Sequence, residues 1–242
     1  MSYAANHYGT MPAAQAAEEA RVAFLKQVGL KTFGSLAITA VAAVGMMMAV
    51  ANVAALQHRY VALGIMLGGI YGAQFIGNRM TASEDSGTRT MGFVIGSAMS
   101  GMALSYIVGA AAVVSAQAFG NPFNLILQAG GLVFLTMLGM VAYLMSGPKE
   151  LNWLRAGLSV LFLPMLGLMA IMFFFPVGGT LGLVFSGLFV LVSAGSLLFS
   201  LNSVMHTMPT HMSTAAAFHI STGIVILFWN ILALLMRLTS RD

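Results

Sequence analysis

The run Phe33-Gly-Ser-Leu-Ala-Ile-Thr-Ala-Val-Ala-Ala-Val-Gly-Met-Met-Met-Ala-Val-Ala-Asn-Val-Ala-Ala-Leu56 decides the fold, because its twenty-four residues carry no charge. A helix rises 1.5 Å per residue, so about 20 mostly apolar residues cross the ~30 Å hydrocarbon layer of a bilayer. The same rule picks out six further segments: Tyr60–Gly77, Thr90–Ser115, Phe123–Met145, Ala156–Phe175, Thr180–Met205 and Ala217–Leu238. The chain therefore reads as an all-α, polytopic transmembrane bundle of about seven spans. Composition agrees: 59% of the residues are hydrophobic and only 7% charged, against roughly 25% charged in soluble domains. The basic residues stand singly, so the net charge of +4 gives no nucleic-acid footprint.

Residues 1–30 are polar and alanine-rich, and contain no short apolar stretch ahead of a cleavage site. They read as an N-terminal tail rather than a signal peptide, and the first apolar segment then acts as both signal and anchor. Glu18, Glu19, Arg21 and Lys26 suit a helix that extends the first span outward. Residues 31–242 read as a single domain, because the connections are short and make successive helices neighbours. The absence of cysteine rules out disulfides and thiolate metal sites.

Orientation follows the basic residues. With the N-terminus inside, the inner side receives Arg21, Lys26, Lys31, Arg79, Arg89, Lys149 and Arg155, and the outer side Arg59, Arg237 and Arg241. An odd number of spans then places the C-terminus outside. Small residues recur at four-residue spacing as Gly64, Gly68 and Gly72, and as Gly92, Gly96 and Ser100. Such stripes let helix backbones approach closely, and packing within the bundle is the expected use.

Several stretches, in order, resemble the Bax inhibitor-1 family, and most of all its bacterial YccA-type branch. Phe24-Leu25-Lys26 leads into Leu36-Ala-Ile-Thr-Ala40, and Met91-Gly-Phe93 precedes Ser100-Gly-Met-Ala-Leu-Ser-Tyr-Ile107. Ala142-Tyr143 is followed by Lys149-Glu150-Leu-Asn-Trp-Leu154, similar to the family's link between helices four and five. Ser193-Ala-Gly-Ser-Leu-Leu-Phe-Ser200 runs to Val204-Met-His206, similar to its sixth helix, and the chain ends Ser240-Arg-Asp242. The resemblance implies a bacterial cytoplasmic (inner) membrane, with the N-terminus in the cytoplasm. It also implies a modulator of a membrane-anchored AAA protease, engaged through the N-terminal tail.

The chain departs from that family where better-known members carry paired acids in helices six and seven. The matching positions hold Ser200 and, near it in role, Ile226. All six acids, Glu18, Glu19, Glu84, Asp85, Glu150 and Asp242, fall in tails or loops. An intramembrane carboxylate is the usual mark of a proton or cation path, and hard charged ligands suit Ca²⁺. A Ca²⁺ or cation leak of the family type is thus the weakened alternative. An accessory subunit of a larger membrane complex is the third reading.

The polar groups expected inside the bundle are Asn52, Gln74, Gln128, Ser193, Ser196, Ser200, Asn202 and Asn230. Ser200, Asn202, Asn230 and His206 stand where the resemblance puts the functional helices. Met205-His-Thr-Met-Pro-Thr-His-Met212 offers His206 and His211 as weak metal ligands. With 20 methionines in the chain, Met–His adjacency carries little weight, and no metal or cofactor is expected. No catalytic Ser–His–Asp arrangement or phosphate loop occurs, and loop acids make poor general bases. The expectation is a non-enzymatic protein whose partners are the lipid bilayer and a membrane protease or other membrane complex.

Overall fold

The computed structural model describes residues 12–145, 151, 153, 154, 156–161, 164, 167 and 179–240. Among the described residues there is no strand, and six helices are long and apolar enough to cross a membrane. They are α1 (Glu18–Asn52), α2 (Arg59–Thr81), α3 (Ser86–Phe119), α4 (Asn124–Met145), α5 (Gly179–His206) and α6 (Ser213–Thr239). Most of the expected fifth span, 156–175, lies outside the described residues, as do Lys149 and Glu150 of the family link.

The chain clusters into two compact units. The first holds residues up to Gly109 together with Ser203–Val225. In it, α1 and α3 run side by side in the same direction: Ser35 meets Ser97, Thr39 and Ala42 meet Gly101, and Met47 meets Gly109. The start of α6 runs parallel to α1, with Lys31 on Ser213 and Ser35 on Ser221. Helix α2 is antiparallel to α3, its Gly69 lying against Met99 and Ala103, and its Met80 against Gly92. Before α1, a short 3₁₀ helix (Ala13–Gln15) is fastened to the connection between α5 and α6. Pro12 pairs with Pro209, and the Ala13 N–H donates to the Met208 carbonyl at 3.1 Å.

Helix α2 contains a π turn at Ala73–Gly77. The wider turn keeps Gly69, Ala73 and Gly77 in one buried line. This line corrects the glycine stripe read from the sequence. Gly72 does meet the Met99 methyl, but Gly64 and Gly68 face open space. In the other stripe, Gly92 meets Met80, Gly96 meets the Phe218 ring, and buried Ser100 bonds the Gly96 carbonyl.

The second unit holds Ala110–Asn202 and Ile226–Asp242. Its α3–α4 turn is shaped by Gly120 at φ +70, a left-handed conformation that glycine adopts without a Cβ penalty. Ser115, fully buried, donates to the Asn121 carbonyl and accepts from the Leu125 N–H, which closes the turn. A Cβ added at Gly195 of α5 would lie in ordinary contact with the Leu154 and Leu158 side chains, at 3.6 and 3.8 Å.

Candidate functional site

A polar column runs down α1 at four-residue spacing: Gln27, Lys31, Ser35 and Thr39. Residues i and i+4 share one helix face, so these four side chains point toward α3 and α6. Each makes an interhelical hydrogen bond. The Ser213 hydroxyl donates to Gln27 Oε1 at 3.1 Å, and Lys31 Nζ donates to Ser213 Oγ and Thr214 Oγ1, both at 2.8 Å. One turn deeper, Ser35 Oγ lies 2.7 Å from both Ser97 Oγ and Ser221 Oγ. Thr39 Oγ1 then donates to the Ser97 carbonyl at 3.1 Å.

The serine cluster has more contacts than protons. Ser97 Oγ also reaches the Phe93 carbonyl at 2.7 Å, and Ser221 Oγ the Phe218 carbonyl at 2.9 Å. The line Phe93 O, Ser97, Ser35, Ser221, Phe218 O therefore has four oxygen–oxygen gaps and three hydroxyl protons. Bonds within helices compete with bonds between them, so one gap lacks a proton at any instant. Interhelical hydrogen bonds in membranes contribute about 1 kcal/mol each, and here the competition keeps the ties soft.

The residues expected from the sequence lie elsewhere. Ser200 Oγ donates to the Ser196 carbonyl at 2.9 Å, and Asn230 Nδ2 to the Ile226 carbonyl at 3.0 Å. Both bonds stay within one helix. Asn202 is buried, His206 closes α5, and His211 sits in the short 3₁₀ helix Thr210–Met212. Among the described residues no group of three or more His, Cys, Asp or Glu converges. Asn52 and Gln128, expected inside the bundle, are exposed and bond within their own helices, to the Met48 carbonyl and Asn124 Oδ1.

Above the column, Asp85 caps α3. Its Oδ2 accepts the Thr88 backbone N–H at 2.7 Å. That bond, then the Thr88 side chain, the Gly87 N–H and the Arg89 charge, holds the carboxyl below the usual carboxylate range. A depressed folded-state value stabilises the fold above the ordinary carboxylate pKa, and the effect is lost as pH falls through the lowered one. Asp85→Ala is expected to lower Tm at pH 7, with wild type and variant converging as acid removes the charge. Asp85→Asn keeps an acceptor and retains much of the capping. Equal Tm for wild type and Asp85→Ala at pH 7 would show that the cap contributes nothing.

Among curated proteins there is no match to the chain. A family model described as inhibitor of apoptosis-promoting Bax1 does match, over residues 21–240. With that match across nearly the whole chain, and six apolar spans among the described residues, the protein belongs to the Bax inhibitor-1 family of multi-pass membrane proteins.

Proposed function

We propose that this protein is a non-enzymatic membrane regulator, a YccA-like modulator of a membrane-anchored AAA protease, acting through its cytosolic N-terminal segment rather than by conduction. The observation that carries the reading is the length of α1. Its 35 residues span about 52 Å at 1.5 Å per residue, well beyond the ~30 Å hydrocarbon layer. The excess lies at its N-terminal end, where the chain is polar, and so offers a helical handle outside the membrane.

Charge supports an inner position for that handle. In the first unit, Arg21, Lys26, Lys31, Arg79 and Arg89 gather at the end that holds the start of α1, and Arg59 stands at the other. Basic residues favour the cytoplasmic side. Parallel helices enter the bilayer from the same face, so an odd number of crossings separates α3 from α6. That parity accords with seven spans and a C-terminus outside, in a bacterial cytoplasmic membrane.

Two deletions test the reading. Removing residues 2–11 spares the Pro12 and Ala13 contacts to the α5–α6 connection, whereas removing 2–20 takes them away. Both variants are expected to fold in the membrane and to lose co-purification with the protease, with altered turnover. Unchanged turnover and co-purification for both would remove the basis for the proposal.

A further inference from the structure

We propose that Lys31 and Arg89 form an interfacial site for one phosphate-bearing anion, the headgroup of an acidic membrane lipid. The parallel register of α1 and α3, set by Ser35 on Ser97 and Met47 near Gly109, is offset by 62 residues. It places Arg89 level with Gln27, one turn above Lys31 on the same facing surfaces. The Arg89 charge is close enough to be felt at Lys31.

Neither cation has an ion-pair partner among the described residues. An ammonium has three N–H donors. Two of Lys31's go to neutral hydroxyls, and the third has no partner among the described residues. Arg89 donates through Nε to the Ser83 carbonyl at 3.0 Å and through Nη2 to the Glu84 carbonyl at 3.2 Å, which leaves N–H groups over. The nearby Asp85 carboxylate caps α3 and lies close enough for the Arg89 charge to act on it, but makes no ion pair with Arg89. Two like charges one turn apart repel, and an anion between them relieves the repulsion.

Depth and surroundings point to a lipid. Phe33–Asn52, twenty residues of α1, span about 30 Å, the full hydrocarbon thickness, so Lys31 lies at the hydrocarbon edge, within side-chain reach of the phosphate layer. At a similar depth Phe33 on α1 and Met91 and Val94 on α3 are exposed and apolar on the outward faces of their helices, turned away from the cations, and Gly34 has open space beside it. These outward surfaces suit the acyl chains of surrounding lipid. Basic residues near the membrane surface attract acidic lipids, and long side chains reach from the hydrocarbon edge to the phosphates.

Native mass spectrometry of the full chain in mild detergent tests the site, with phosphatidylglycerol, phosphatidylcholine of the same acyl length, or inorganic phosphate added. The expected result is about tenfold preferential retention of one phosphatidylglycerol over phosphatidylcholine. Lys31→Gln/Arg89→Gln should bring the ratio close to one, whereas Lys26→Gln, at an exposed lysine on the same helix, should not change it. Should the double variant fail to fold, the wild-type melting temperature decides. Phosphatidylglycerol must raise it more than phosphatidylcholine does, and equal shifts overturn the proposal. A wild-type ratio near one, or a ratio that Lys26→Gln lowers as much as the double variant does, also overturns it. Displacement of the bound lipid by millimolar phosphate would assign the site to free phosphate instead and overturn the lipid assignment.

Discussion

Gly101→Ala is expected to be among the most damaging single substitutions in the chain. A Cβ at Gly101 of α3 would collide with the Thr39 carbonyl oxygen of α1, and would stand 2.8 Å from the Ala42 Cβ and 3.0 Å from the Thr39 carbonyl carbon. Most of what it meets is backbone, which cannot rotate away. Relief requires α1 and α3 to separate at the level of Thr39, the residue that donates to the Ser97 carbonyl. Overpacking costs about 1–3 kcal/mol where side chains can yield, and occasionally more; with backbone on the facing side, about 3 kcal/mol or more is expected here. Thermal unfolding of detergent-purified protein should show a large loss of Tm or no folded yield. An unchanged Tm would mean that α1 and α3 do not touch at this level.

Phe218→Ala should rank beside it. The Phe218 ring is only 1% exposed. It sits in a cradle made by Gly77 of α2 and Gly96 of α3, where an added Cβ at Gly96 would lie 2.6 Å from the ring. Phe→Ala costs about 3–5 kcal/mol in water-soluble cores. In a bilayer the transfer part shrinks because lipid is itself apolar, so a loss of about 2–4 kcal/mol is expected, mostly from the cavity. The double-mutant cycle is the sharper measurement. Gly96→Ala should destabilise the wild type and cost less once Phe218 is alanine, when only the Gly77 Cα, 3.2 Å from the added Cβ, still crowds it; a coupling of about 1 kcal/mol or more is expected. Strict additivity would show that ring and glycine are not in contact.

The sequence made the spans legible because hydrocarbon thickness constrains them directly. The described helices start and end within a few residues of the apolar runs, apart from the start of α1, and two of the offsets are instructive. Helix α1 begins at Glu18 rather than near Phe33, the outward extension of the first span that Glu18, Glu19, Arg21 and Lys26 suggest, since helix formation continues past the membrane edge when the residues favour it. Helix α6 begins at Ser213 rather than Ala217, because Ser213 and Thr214 spend their polarity on Lys31 and Gln27. The Gln27, Lys31, Ser35, Thr39 column was available as a four-residue spacing, but a search for apolar runs passes over it. Gly64 and Gly68 look the same as Gly69 and Gly77 in sequence. Which of them face a neighbour depends on the π turn at Ala73–Gly77, which spacing alone does not reveal.

Regulation rather than conduction, as proposed for this family member, accords with where its acidic groups lie. The four described acids, Glu18, Glu19, Glu84 and Asp85, lie at or beyond helix ends, and the deep column of the first unit is built of hydroxyls that do not change charge near neutral pH. Ser200, at the position where a titrating acid is expected, bonds its own helix. The most direct measurement is Ca²⁺ flux into sealed proteoliposomes containing the full-length protein, recorded between pH ~6 and 8, the window in which histidines titrate. Little flux and little dependence on pH are expected. Robust, pH-gated Ca²⁺ entry that requires the protein would contradict it.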